Sequence, residues 1–322
     1  MTEKTYDIII IGGGPIGMAC AIAAQQKGLD YLILEKGSLV NSIFHYPLYM
    51  TFFSTAERLE IGAIPFNCIA PKPGRQEALE YYRNIHRYFN FNIQLFEKVD
   101  RITKSGSLFQ VTTAKLGYTA RKVIIATGFY DIPLLMDIPG ENLPKVAHYY
   151  KESHEYAFRK ILIVGANNSS VDAALECWRK GAEVIMVIRK NEINNRVKYW
   201  AKPDIENRIA EGSITAYFES NVTEIRDTEV DITTPNGPIT VANDVVLALT
   251  GYRPDLDFLT QSGITLSADG KCVPEYNPET METNVPGLYL AGVVCGGLET
   301  QKWYIENSRV HADMILDHIT AI

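Results

Sequence analysis

The chain has 322 residues, 46% hydrophobic and 21% charged, with a formal net charge of −7. This is the balance of an ordinary globular protein, most simply of two domains, and the negative charge argues against general affinity for DNA or RNA. Met1–Asp7 is polar, and the apolar run behind it is far shorter than a signal or membrane-spanning core, so neither export nor a membrane is expected. Five cysteines, Cys20, Cys68, Cys177, Cys272 and Cys295, form no C-x-x-C and no metal-ligand spacing. An odd, scattered set fits a reducing cytoplasm better than a disulfide framework, so a cytoplasmic protein without a metal is expected.

Ile8–Ile11 reads as a buried parallel strand. Gly12, Gly14 and Gly17 follow in G-x-G-x-x-G spacing, enclosing Pro15 and Ile16; Pro15 sits near the first helical turn, where its missing N–H costs nothing. An Ala-rich helix to about Lys27, a closing Gly28 and a second strand, Tyr31–Leu34, complete the unit and end in Glu35 and Lys36. In this pattern the first glycine permits a tight turn, the second admits a pyrophosphate to the backbone, and the third lets helix pack on strand. The helix N-terminus offers N–H groups and partial positive charge to the phosphates, and Glu35 is placed to accept ribose hydroxyls. A dinucleotide cradle is the expected result.

Lys36–Phe53 is irregular and rich in aromatics. Were the chain a flavoprotein, a loop here would wrap the cofactor, with Asn41 and Ser42 to bond phosphate or ribityl oxygens and Tyr46, Phe52 and Phe53 to wall the ring; the alternative is an aromatic loop under a core. Arg75–Phe89 reads as an amphipathic helix, and Asn92–Phe96 and Leu108–Thr112 as strands. Val99 lies where related folds lend backbone to an adenine. Val123–Gly128 is a buried strand ending in the small residues Ala126, Thr127 and Gly128, which allow close approach of a cofactor. Asp131–Pro144 reads as an interdomain crossover.

Lys160–Lys190 repeats the opening plan, with strands at Ile161–Val164 and Val184–Ile188 around an Ala-rich helix. Here Gly165 is kept, while Asn167 and Ser170 replace the later glycines, with Asn168 and Ser169 between them. Asparagine tolerates left-handed backbone, so the turn remains feasible. The second strand ends not in an acid but in Arg189 and Lys190, with Arg196 following. Arginines suit a 2′-phosphate, as a carboxylate suits a free 2′-hydroxyl, so this unit is expected to take NADPH and the first FAD. Beyond it come a loop and helix at Tyr199–Arg208, strands near Ile214–Phe218, Val230–Thr233 and Ile239–Val241, and a return crossover at Asp244–Asp255. Gly287–Gly292 is then a strand ending at a site, and Leu298–His318 a closing helix. Gly292, Val293 and Gln301 are the expected cofactor contacts there.

Two such units, the ATG at Ala126–Gly128, TGYRPD at Thr250–Asp255 and GLYLAG at Gly287–Gly292 resemble the low-molecular-weight thioredoxin-reductase family over essentially the whole chain. NSIFHYP, TFFST, ANNSSVDAAL, RVKYWAKPDIENR and WYIENSR are most similar to its bacillithiol-disulfide reductase (YpdA-type) branch. The resemblance implies an α/β fold of two Rossmann-like, three-layer ββα domains, one inserted in the other: FAD in residues 1–130 and 247–322, NADPH in residues 131–246. It also implies a homodimer that reduces a small-molecule disulfide or a protein electron acceptor. There is no room for the C-terminal dimerisation domain of larger relatives.

Three departures limit the analogy. No cysteine lies between Val146 and Lys160, where thioredoxin reductases carry C-x-x-C. Val293 stands where the family has an aspartate that bonds FAD. Ile16 stands where the bacillithiol branch has a cysteine inside the glycine loop. Cys20 and Cys295 remain as catalytic thiol candidates, each also readable as a small core residue. The alternative functions are a ferredoxin–NADP reductase of the same fold and a flavin-bound redox sensor or carrier with little turnover. A flavin monooxygenase is disfavoured because only His148 of its F-x-G-x-x-x-H motif is matched, with Asn142 and Pro144 at the other positions.

Overall fold

The computed structural model of the chain describes residues 4–321, so Met1–Glu3 of the polar leading stretch lie outside the described residues. The chain divides into two compact units: Met1–Tyr46, Met50–Ile132 and Tyr252–Ile322 form one, and Pro47–Tyr49 with Pro133–Gly251 the other.

The first unit opens with β1 (Thr5–Ile11), α1 (Pro15–Gln26), β2 (Tyr31–Leu34) and the short α2 (Asn41–Phe44). Then come α3 (Arg75–Phe89), β3 (Ile93–Gln94), β4 (Val99–Ser105), β5 (Leu108–Thr113) and β6 (Gly117–Ile125). The isoleucine run makes both faces of β1 apolar, which suits only the middle of a covered sheet. It lies between β2 and β6, parallel to both, with Ile8, Ile9 and Ile10 fully buried. β6 joins the two parts of one sheet: Gly117–Ala120 pairs antiparallel with β5, which continues to β4, while Thr119–Ile125 pairs in parallel with β1. The apolar α1, buried from Ile16 to Ala24, packs on β1, β2 and the last helix of the chain.

The two-residue β7 (Ile132–Pro133) leads into the second unit. There β8 (Val146–Ala147), β9 (Lys160–Val164), α4 (Asn168–Arg179), β10 (Glu183–Ile188), α5 (Lys202–Ala210) and β11 (Thr215–Phe218) are followed by β12 (Asn221–Ile225), β13 (Glu229–Thr234), β14 (Gly237–Ala242) and β15 (Val245–Ala248). A parallel sheet in the order β11-β10-β9-β15-β8 and an antiparallel meander β12-β13-β14 repeat the first unit's parts, but here the meander is a separate sheet. The chain returns through β16 (Tyr252–Arg253) to α6 (Leu256–Gln261), β17 (Leu288–Leu290), α7 (Ile305–Ser308) and α8 (His311–Ala321). β17 pairs in parallel with β6, Leu288 opposite Val123 and Leu290 opposite Ile125, so the two ends of the chain share one sheet.

Several elements differ from the sequence reading. The return crossing falls at Gly251/Tyr252 rather than at residue 247, because β15 is a central strand of the second sheet, paired with β9 and β8. The strand expected over Asn92–Phe96 shrinks to β3, and Phe96 has a positive φ that turns the chain away. The single closing helix is two, α7 and α8, preceded by an irregular stretch. There the Tyr304 N–H donates to Asn307 Oδ1 at 2.7 Å and Asn307 Nδ2 donates to the Lys302 carbonyl at 3.0 Å; such side-chain bonds compete with a continuous helix. β12 was not foreseen.

The tightest joint of the first unit is Gly17, where a Cβ would sit 1.9 Å from the Gly12 carbonyl oxygen. Gly17→Ala is expected to lower stability by at least about 2 kcal/mol, through forced separation of α1 from the β1 turn, as read by thermal and urea unfolding.

Candidate functional site

The first unit holds a cavity of about 450 Å³ at the C-terminal ends of β1, β2 and β6. That is where an open parallel sheet accepts a ligand. Gly12, Gly14, Pro15, Ile16, Glu35, Lys36, Asn41, Ser42, Tyr46, Val99, Ala126, Thr127, Gly128, Gly292 and Val293 all line it. Gly12 has φ +110, and a Cβ there would strike the Ala126 carbonyl at 2.5 Å, so the turn requires glycine. Gly14 differs: a Cβ on it meets no protein atom within 4 Å. Its surroundings leave room for a group that is not protein, and α1 starts there without a side-chain cap on its N–H groups. A pyrophosphate fits both observations.

Glu35 is 5% exposed. Its carboxylate accepts the Gly13 N–H at 2.6 Å and the Gly37 N–H at 2.9 Å, so it ties the glycine turn to the chain after β2. Burial raises its pKa, and the two N–H groups and Lys36 act in the opposite direction. Lys36 pairs with Asp131 at the cavity wall. Val40 takes a left-handed conformation, φ 49°, ψ 47°, unusual for a β-branched residue, and its N–H bonds the Gly13 carbonyl. That strained residue starts α2 and sets Asn41 and Ser42 at the cavity; the Asn41 Oδ1 is already used by the Ser38 N–H at 3.2 Å.

Tyr46 stands edge-on to Tyr130 at 4.8 Å and to Phe52 at 6.2 Å. Burial pushes its phenol up to about 12, so it stays a neutral hydroxyl. Phe53, by contrast, is 54% exposed and takes no part in the wall. Phe129, Tyr130, Asp131, Lys98, Arg253, Asp255, Phe258 and Ile305 also line the cavity and were missed by sequence reading. Of these, Arg253 and Asp255 lie in the GYRPD stretch and Ile305 in WYIENSR. Phe129–Asp131 and Lys98 adjoin the expected Gly128 and Val99, and the fold brings Phe258 of α6 to them.

Val293 lies at the wall, where a ligand would meet backbone and an apolar side chain. The preceding Gly292 N–H donates to His311 Nδ1 at 3.2 Å, which makes that nitrogen the unprotonated one. His311 is buried beside Trp303, and burial pushes its pKa down to about 4. Gly17 lies beneath the turn rather than at the cavity, and Gln301 falls on an exposed turn, away from it, because the expected helix does not form there.

Both thiol candidates are wholly buried. Burial pushes Cys20 up to about 12 and Cys295 higher still, and neither lines the cavity. Cys295 Sγ lies 4.0 Å from His311 Nδ1, but that imidazole is neutral and gives no charge to stabilise a thiolate. All five cysteines are free.

In the second unit the β9 turn keeps Gly165 at φ +131, with a Cβ there 2.7 Å from the Leu249 carbonyl. Ser170 stands in for the third glycine; its hydroxyl is buried without a hydrogen-bond partner. Asn167 begins α4 without capping it, and Ser169 lies exposed in the first turn. Arg189, Lys190 and Arg196 are all exposed after β10. Uncapped helix N–H groups beside exposed cations suit a nucleotide with a 2′-phosphate.

Two expectations follow. Glu35→Ala removes the tie between Gly13 and Gly37 and should weaken FAD retention at least about tenfold, read as flavin absorbance surviving gel filtration. His311 binds a proton more weakly folded than unfolded, so its contribution to stability is full above about pH 6.5 and fades as pH falls toward 4. The stability difference between the parent and His311→Gln should therefore shrink over that window, by up to roughly 3 kcal/mol, in denaturation series at several pH values.

Residues 9–292 match the family model described as pyridine nucleotide-disulphide oxidoreductase. Bacilliredoxin reductase Bdr of Bacillus subtilis (strain 168) is 44% identical over 314 residues, 97% of this chain and 96% of the relative. Among solved structures, bacillithiol disulfide reductase Bdr (YpdA) from Bacillus cereus superposes with a TM-score of 0.97 at 41% identity, covering 99% of each chain. Its counterpart from Staphylococcus aureus gives 0.96 at 38%, again over 99% of each. The cavity, the two dinucleotide folds and this similarity agree: the chain belongs to the pyridine nucleotide-disulphide oxidoreductases, within the thioredoxin-reductase-like Bdr branch, and is an oxidoreductase that uses FAD and NADPH.

Proposed function

We propose that this enzyme reduces a low-molecular-weight disulfide, bacillithiol disulfide or the disulfide of a related thiol, at the expense of NADPH. The observation that carries this reading is the full-length match to Bdr proteins, 44% identical over 97% of the chain. One relative is named for bacilliredoxin and the solved structures for bacillithiol disulfide, so a small redox protein of that kind is the alternative acceptor.

FAD belongs in the first unit and NADPH in the second, and when bound they supply the hydride chemistry. Glu35 holds the ribose of FAD, the uncapped start of α1 its pyrophosphate, and Tyr46 with Tyr130 an apolar, water-excluding wall. Lost carboxylate bonding at Val293 is made up by backbone, with Gly292 held in place by His311. Arg189 and Arg196 receive the 2′-phosphate of NADPH. The enzyme acts as a homodimer in the cytoplasm and binds neither nucleic acid nor membrane. Among the described residues, no helix is long and apolar enough to cross a membrane.

Buried, neutral thiols at Cys20 and Cys295 are poor nucleophiles, and Ile16 supplies none in the glycine loop. The disulfide is therefore reduced without a mixed disulfide at either cysteine. Cys20→Ala and Cys295→Ala are expected to keep NADPH-dependent disulfide turnover within about twofold per bound FAD, a change under about 0.5 kcal/mol in barrier. Loss of turnover in either variant with FAD retained would restore the thiol route. An acceptor panel of bacillithiol disulfide, bacilliredoxin, ferredoxin and oxygen tests the reading as a whole. Rapid NADPH oxidation with ferredoxin or oxygen, and none with the disulfides, would overturn it.

A further inference from the structure

We infer that Asn167, Asn168 and Asn194 form a clip that positions the basic loop after β10 for a 2′-phosphate, making them specificity-setting positioning residues rather than direct nucleotide ligands. The inference rests on the proposed seating of NADPH in the second unit.

The loop from Arg189 to Ala201 contains no strand or helix, yet it is tied to the start of α4 at several points. Asn194 Nδ2 donates to Asn167 Oδ1 at 2.6 Å, and the Asn194 N–H donates to the Ala166 carbonyl at 3.2 Å. Asn194 Oδ1 accepts the Arg196 N–H at 3.0 Å. On the other side of Arg196, Asn168 uses both ends of its amide. Its Oδ1 accepts the Lys198 N–H at 2.8 Å, and its Nδ2 donates to the Arg196 carbonyl at 3.4 Å. The backbone of Arg196 is thus held at its N–H and at its carbonyl by two different asparagines. Below it, Lys198 is 6% exposed, and its Nζ donates to Asp172 Oδ2 on α4 at 2.6 Å.

This arrangement explains the altered glycine motif. Asn167 has φ −99 and ψ −175, extended backbone that does not require glycine, and where a glycine would have no side chain to reach the loop, asparagine adds an amide. Because the Asn167 oxygen faces Asn194, it does not cap α4, and the first-turn N–H groups stay open to a pyrophosphate. The work is divided. Backbone at the start of α4 meets the pyrophosphate, Asn side chains fix the loop, and the loop presents the guanidinium groups. A loop ordered in advance avoids the entropy cost of ordering it on binding, and that gain is available only to a nucleotide that engages the loop.

The test compares NADP⁺ with NAD⁺, which differ by the 2′-phosphate alone, by calorimetric titration of the FAD-loaded protein. Asn168→Ala and Asn194→Ala are each expected to weaken NADP⁺ about tenfold and NAD⁺ less than about twofold, since only the former uses the loop. Arg189→Gln and Arg196→Gln serve as the reference, and should abolish most of the preference for NADP⁺. Asn194 is partly exposed and keeps its backbone tie when truncated, so that variant reports even if Asn168→Ala folds poorly. Equal weakening of both nucleotides, or no change with the Asn variants while the Arg variants lose the preference, overturns the clip and leaves the NADPH reading standing. Retention of the preference in both Arg variants overturns that seating of the 2′-phosphate, and the clip with it.

Discussion

The first unit depends on one buried carboxylate. Glu35 follows β2, reaches back to the Gly13 N–H at 2.6 Å and forward to the Gly37 N–H at 2.9 Å, and so joins the glycine turn to the loop that walls the cavity. Without it, two backbone donors lose their acceptor at a place where solvent is largely excluded, and such losses cost the full desolvation of each group. The same carboxylate faces the cavity, so the group that shapes the site is also one that can bind a ribose. Its neighbours show how tightly the region is drawn: Val40 accepts a left-handed backbone so that its N–H can reach Gly13.

The second unit answers the same mechanical problem differently. It has no acid at the end of its second strand, and its turn is held by amide side chains and by the Lys198–Asp172 pair. One plan, a strand, a tight turn and a helix, therefore carries two electrostatic endings. The acid ending favours neutral hydroxyls, and the basic ending favours a phosphate dianion. What distinguishes this chain from a dithiol reductase is equally physical. It has no C-x-x-C, and Cys20, Cys177 and Cys295 are sealed in the core, where burial raises the pKa of each thiol, while Cys68 and Cys272 are half-buried.

Much of this was legible in the chain because the informative contacts are local. Ile8–Ile11, the glycine spacing and Glu35 lie within a single β-α-β unit, and fifteen of the residues expected to hold a cofactor line the one cavity described. Gln301 lies off the cavity on an exposed turn, because α7 starts only at Ile305, where the Tyr304 N–H is taken by Asn307 Oδ1 at 2.7 Å. Phe129, Tyr130 and Lys98 carried no motif at all. Their place in the wall depends on where β4 and β6 deliver the chain.

By itself, then, the sequence determined the two dinucleotide folds, their acidic and basic strand ends, and the absence of a C-x-x-C, since these depend on residue spacing along the chain. Only the tertiary structure decided that Cys20 and Cys295 are sealed from the cavity, that β15 belongs to the second sheet, and that Asn167 and Asn168 turn toward the basic loop. Burial, strand order and side-chain partners are set by contacts between segments far apart in the chain. Local pattern encodes the strand and the turn, but not what packs against them.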